Sequence, residues 1–138
     1  RSQTRRLLDW LPEHEHPTVV CGDFNALPGA RSIALMRERF VSAQTAVHGS
    51  EGLHTFPTGL DRGPAARDRA RALLLRSVGV ILGRPGGTWS STLDYVFVDP
   101  RASVRRCYLA LEHPHPENPR LYASDHRALV AELEWGAA

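Results

Sequence analysis

An α+β chain is what the sequence predicts, on three observations. Val19-Val20-Cys21 and Leu93-Asp94-Tyr95-Val96-Phe97-Val98 are short apolar runs rich in β-branched and aromatic residues, the mark of strands. Ala128 to Trp135 alternates, with Leu129, Ala131 and Leu133 on one face and Val130, Glu132 and Glu134 on the other. Between the strands, Arg31 to Phe40 places Ile33, Leu35, Met36 and Phe40 at helix spacing. No internal repeat is present, and 138 residues make one domain at most.

The elements follow in chain order. Ser2 to Leu11 reads as the tail of an amphipathic helix, with Leu7, Leu8 and Leu11 toward a core and Arg5, Arg6 and Asp9 toward water. Pro12 to Pro17 is a polar loop in which His14 and His16 read as solvated side chains rather than a metal pair. The Val19–Cys21 run suits a strand covered on both faces. It ends in Gly22-Asp23-Phe24-Asn25, where alternation puts Asp23 and Asn25 on one side and Phe24 on the other. Leu27-Pro28-Gly29 closes it before the Arg31 helix.

Val41 to Val47 reads as a short strand or extended linker, and Gly49 to Gly52 as a turn. His54 to Thr58 is extended, with Pro57 arguing against a central strand position beyond it. Ala65 to Leu82 carries good helix formers and Arg67, Arg69 and Arg71. It reads as a helix whose leucines pack on the sheet, the alternative being a basic amphipathic surface for a membrane or acidic partner. Gly83 to Thr88 is a loop. Pro100 stops the second strand, and Ser103 to Leu111 is a third candidate. His113 to Pro119 is a stiff loop that cannot join a ladder.

Composition narrows the function classes. No apolar run approaches the ~20 residues of a membrane span, and no signal-peptide pattern stands at Arg1. The first residue is not Met, so a missing N-terminal part is expected. Cys21 and Cys107 match no metal-ligand spacing and read as small core residues. The basic residues are all Arg, which reads as a chain-wide bias, and a net charge of +2 is too small to argue for nucleic acid. Compartment is not legible.

Three polar sets stand at strand ends: Asp23 with Asn25, Asp94, and Ser124-Asp125-His126. A carboxylate opening an apolar strand, as Asp94 does, is costly unless it has a partner at the rim. Should these ends meet, the site holds an imidazole, three carboxylates and an amide. That inventory suits general acid–base chemistry and metal-assisted hydrolysis. A turn in which Asp23 and Asn25 merely cap backbone groups is the plainer alternative for Gly-Asp-Phe-Asn alone.

Gly22-Asp23-Phe24-Asn25, Thr55-Phe56-Pro57, Leu93-Asp94-Tyr95-Val96-Phe97 and Ser124-Asp125-His126, in that order, resemble the endonuclease/exonuclease/phosphatase superfamily. The match runs from about Val19 to Leu133 in motif order, and the first helix resembles the one preceding the family's Gly-Asp-x-Asn strand.

The resemblance implies the C-terminal half of a four-layer α/β/β/α sandwich, a mostly antiparallel sheet with flanking helices, whose N-terminal half is missing. Residues 1–138 would be a partial domain. It implies a metal-dependent phosphoesterase attacking a phosphodiester or phosphomonoester in line with water, nucleases included. It implies catalytic roles for Asp23, Asn25, Asp94 and His126, with Asp94 orienting the imidazole. Asp23 and Asp125 would serve a Mg²⁺ (or Mn²⁺) region, and Thr55 and Phe56 would shape the pocket floor. The substrate would be a phosphate ester of nucleic acid or of a phospholipid or inositol head group.

The family's early Asn, its main metal-binding Glu and a second His have no counterpart here. The chain alone is therefore expected to be inactive, with the missing half as its partner. A non-catalytic binding module that keeps the fold is the alternative. Thr92 stands where many relatives have Arg, which puts one phosphate contact in question.

Overall fold

The computed structural model describes residues 3–11, 17–58 and 90–135. The His14/His16 loop, the Arg-rich stretch 65–82 and the Gly-rich loop 83–88 lie outside them. The elements are α1 (Gln3–Trp10), β1 (Val19–Asp23), α2 (Arg31–Arg37), β2 (Val41–Ser42), α3 (Ala43–His48), β3 (Asp94–Val98), β4 (Ala102–Ala110) and β5 (Ala128–Trp135). Mixed helices and antiparallel sheets make this an α+β arrangement.

β3 is the centre of a three-stranded antiparallel sheet of order β1-β3-β2. Its side chains explain its place. Tyr95, Phe97 and Val98 are almost wholly buried, and Tyr95 and Phe97 stack at 5.4 Å while Phe24 meets both edge-on. Ile33, Met36 and Phe40 pack on the same aromatic face, with partly buried Leu7 and Leu8 of the first helix and Leu11 just after it beside them. The first two helices thus turn their apolar stripes toward the core as expected, α2 burying its stripe and α1 covering its leucines in part. α2 stops at Arg37, earlier than Phe40, yet Phe40 still donates its N–H to the Met36 carbonyl and stays in the core.

Two expectations are corrected. β1 is not covered on both faces: Val20 and Phe24 pack on the core, whereas Val19 is 39% exposed and Cys21 is exposed. The register explains it. Val19, Cys21 and Asp23 stand opposite Val98, Val96 and Asp94, so they share the sheet face that points away from α1 and α2. Cys21 is therefore not a core residue, while Cys107 is; burial, then the charge of Glu51, pushes the Cys107 thiol up to about 11.

The second correction is at 41–47. Only Val41–Ser42 is a strand, and Ala43–His48 is helical. Thr45 and Val47 favour extended backbone, but packing of this turn-and-a-half on β4 and β3 overrides the preference. Gly49, at φ 74°, ends it in the left-handed conformation that suits glycine.

β4 and β5 form a separate two-stranded antiparallel sheet, with a register shift between Val104 and Arg106. The link from β3 is a tight turn in which the Asp99 carboxylate accepts from the Arg101 backbone N–H and guanidinium. Those side-chain and backbone bonds hold the Asp99 carboxyl well below the usual carboxylate range. Among the described residues, no helix is long and apolar enough to cross a membrane.

Candidate active site

Ladder register brings the first two carboxylates together. Asp23 ends β1 and Asp94 opens β3, and the two are directly opposite. Like charges in that relation repel, so partners that offset the repulsion are expected at this rim.

The 124–127 segment supplies the third group. His126 Nδ1 lies 2.7 Å from Asp94 Oδ2. With that nitrogen donating to the carboxylate, Nε2 is left as the outward atom. The costly carboxylate at the strand entry has thus found its partner. Ligand atoms of Asp23, Asp94 and His126 all lie within 4.8 Å of one another. Burial pulls the His126 pKa down, but the hydrogen bond and charge of Asp94, with Asp23 and Asp125 adding, outweigh it and raise it above its ordinary 6.5. The Phe56 ring packs against the imidazole at 5.1 Å between centroids.

Asn25 and Asp125 sit differently. Asn25, at φ 46°, donates its backbone N–H (2.7 Å) and its side-chain Nδ2 (2.8 Å) to the two oxygens of Asp23. The capping turn and the polar site are therefore one object: Asp23 is oriented by the residue expected to work beside it. Asp125 is exposed and stands outside the three-residue group, close enough for its charge to reach His126. Its carboxylate accepts from the Ser124 hydroxyl at 3.3 Å.

The wall beneath the dyad comes from residues 54–58. Thr55 is fully buried, and its Oγ1 accepts from the N–H groups of Leu93 (3.0 Å) and Asp94 (3.1 Å). Its carbonyl accepts from Arg127 N–H at 2.7 Å. Phe56 and Ser91 exchange backbone bonds of 3.0 and 2.9 Å. Thr58 donates its N–H to the Asp125 carbonyl and its hydroxyl to the Ser124 carbonyl, both at 2.8 Å. Arg127 donates to the His54 carbonyl at 2.7 Å.

Neither Thr58 nor Arg127 stood out in the sequence. The available signal was Pro57: an extended segment with a proline cannot complete a ladder, so the hydroxyls flanking it have backbone groups to serve. Thr92, at the position in question for phosphate contact, faces inward. It is fully buried and donates to the Leu53 carbonyl at 2.7 Å.

The model of the endonuclease/exonuclease/phosphatase family matches residues 1–126. The crystal structure of an endonuclease/exonuclease/phosphatase from Bacteroides vulgatus is similar in fold, with a TM-score of 0.57 at 20% identity. The similarity covers 96% of this chain and 42% of that one, so the chain spans less than half the length of that neighbour. No curated protein matches.

Proposed function

This chain belongs to the endonuclease/exonuclease/phosphatase family, and from that premise we propose that it forms part of a metal-dependent phosphoesterase. The reaction is in-line attack of water on a phosphodiester or phosphomonoester. The observation that carries the reading is the meeting of Asp23, Asp94 and His126, far apart in sequence, at one sheet rim.

The roles follow from the bonds. Asp94 fixes the imidazole tautomer and orientation through Nδ1, so that Nε2 is presented to the scissile phosphate. Asp23, oriented by Asn25, positions the attacking water or takes its proton. Asn25 has a second amide hydrogen for a phosphate oxygen. The donor set fits a hard divalent cation: two carboxylates stand opposite each other, and each oxygen of Asp23 keeps a lone pair beyond its bond from Asn25. Asp23 would hold Mg²⁺ or Mn²⁺, with Asp125 at the edge. The bound ion would supply charge compensation for the phosphorane-like state.

The same reading places the chain in a four-layer sandwich. On the face away from α1 and α2, Val98 of β3 is buried, but Val19 and Cys21 of β1 are exposed. Such a face fits a second sheet. That sheet would complete the cleft and bring the metal-binding Glu that the family resemblance implies. The substrate is a phosphate ester, of nucleic acid or of a lipid or inositol head group.

The test is hydrolysis of a generic chromogenic phosphodiester by a protein carrying this chain with its complementary half. Activity abolished by EDTA, restored by Mg²⁺ and lost in His126→Ala supports the enzyme. Undiminished activity in His126→Ala refutes it, and an inactive protein that still binds phosphate esters favours the binding module. A panel of single-stranded DNA, abasic DNA, phosphoinositide and sphingomyelin then separates the substrate classes.

A further inference from the structure

We infer that Thr55 and Thr58 are positioning residues that set the relation between Asp94 and His126 by tying both flanking backbones to one extended segment. The inference rests on the dyad being the reactive pair proposed above. Asp94 opens β3, and its N–H and that of Leu93 just before it are both accepted by Thr55 Oγ1. One buried hydroxyl oxygen accepts both, so it fixes the orientation of the strand's first peptide and with it the direction of the Asp94 side chain.

The same residue holds the other partner. Its carbonyl receives the N–H of Arg127, the residue after His126. Three residues on, Thr58 receives the chain just before His126: its N–H and hydroxyl bind the carbonyls of Asp125 and Ser124. The backbone on both sides of the imidazole is therefore pinned to residues 55–58, and so is the backbone that carries its carboxylate partner. Phe56 lies between the two threonines and supports the ring face. Two side chains meeting at 2.7 Å across 32 positions of sequence need a common reference, and this segment supplies it.

The experiment uses a protein carrying this chain with its complementary half and an NMR readout that needs no substrate. In the wild type, the His126 Nδ1–H bonded to Asp94 is expected to give a downfield imidazole resonance slow to exchange with water, assigned by its disappearance in His126→Gln. Thr55→Val keeps the shape and removes the acceptor. It is expected to lose that resonance, and the exchange protection of the Leu93 and Asp94 amides, in a folded chain. Thr55→Ser, which keeps the oxygen, is expected to restore both. An unchanged resonance in folded Thr55→Val overturns the inference, as does a Thr55→Ser chain that behaves like the valine variant.

Should Thr55→Val fail to fold, Thr58→Val decides. Broadening or loss of the His126 resonance supports the inference, and a wild-type signal overturns it. Absence of hydrolysis in the wild-type enzyme would sink the proposed function and leave this readout intact, so the two failures are distinguishable.

Discussion

Two pairs of strands carry charge across their ladders, and they do it in opposite ways. Between β4 and β5, Arg105 pairs with Glu134, and Arg106 with Glu132 at 3.0 Å, cation to anion on an exposed surface. Between β1 and β3, Asp23 faces Asp94, anion to anion. The first arrangement is at rest. The second carries added bonds beyond the ladder: Asn25 on Asp23, His126 on Asp94, Thr55 on the Asp94 backbone. A fold that maintains unlike neighbours needs little more than the strands. One that maintains like neighbours builds scaffolding around them, and the scaffolding marks where chemistry is expected.

The contrast breaks most sharply at Asp94. Asp94→Asn keeps the size of the side chain and the Thr55 bonds to the backbone, but turns an acceptor toward His126 into an amide and removes the charge. Hydrolysis by the completed enzyme is expected to fall by about 10²–10⁴-fold, mostly in kcat. A change of a few-fold would mean that the rim carries repulsion without chemistry.

A smaller effect sharpens the comparison through pH. His126 has its folded pKa raised above the ordinary 6.5. The folded state then holds the proton more tightly than the unfolded chain, so the pair's contribution to stability is full below that ordinary value. It is lost as pH rises through the folded pKa. Urea midpoints from about pH 5 to about pH 9 are expected to carry this fall in the wild type and to flatten in Asp94→Asn. Parallel curves for the two proteins would show that the carboxylate does not govern the imidazole.

Much of this was readable in advance. The Val19 and Leu93 strands, the first two helices and the coming together of Asp23, Asp94 and His126 follow from apolar periodicity and from the order of short motifs. What escaped was decided by tertiary partners. A six-residue helix at Ala43–His48 has no periodicity long enough to read, and its Thr and Val point the wrong way. The exposure of Val19 and Cys21 depends on what lies across the sheet, which a strand's own residues do not encode. Thr55 belongs to a motif, but its acceptance from Leu93 and Asp94 depends on where the chain returns 38 and 39 residues later, and the part played by Thr58 on where it returns 66 residues later.

The smallest prediction concerns the sheet at rest. Arg105 and Glu134 have side chains 66% and 52% exposed, so solvent screens their attraction and the ordering of two long side chains offsets much of what remains. Arg105→Ala, Glu134→Ala and the double variant are each expected to change unfolding free energy by no more than about 0.5 kcal/mol. Their coupling, read from the double-mutant cycle, should fade further in high salt. A coupling of about 2 kcal/mol or more would place this ion pair among the partly buried ones. The β4–β5 surface would then be an electrostatically organised region in its own right, and like-charge opposition at the Asp23–Asp94 rim would no longer be what sets the two sheets apart.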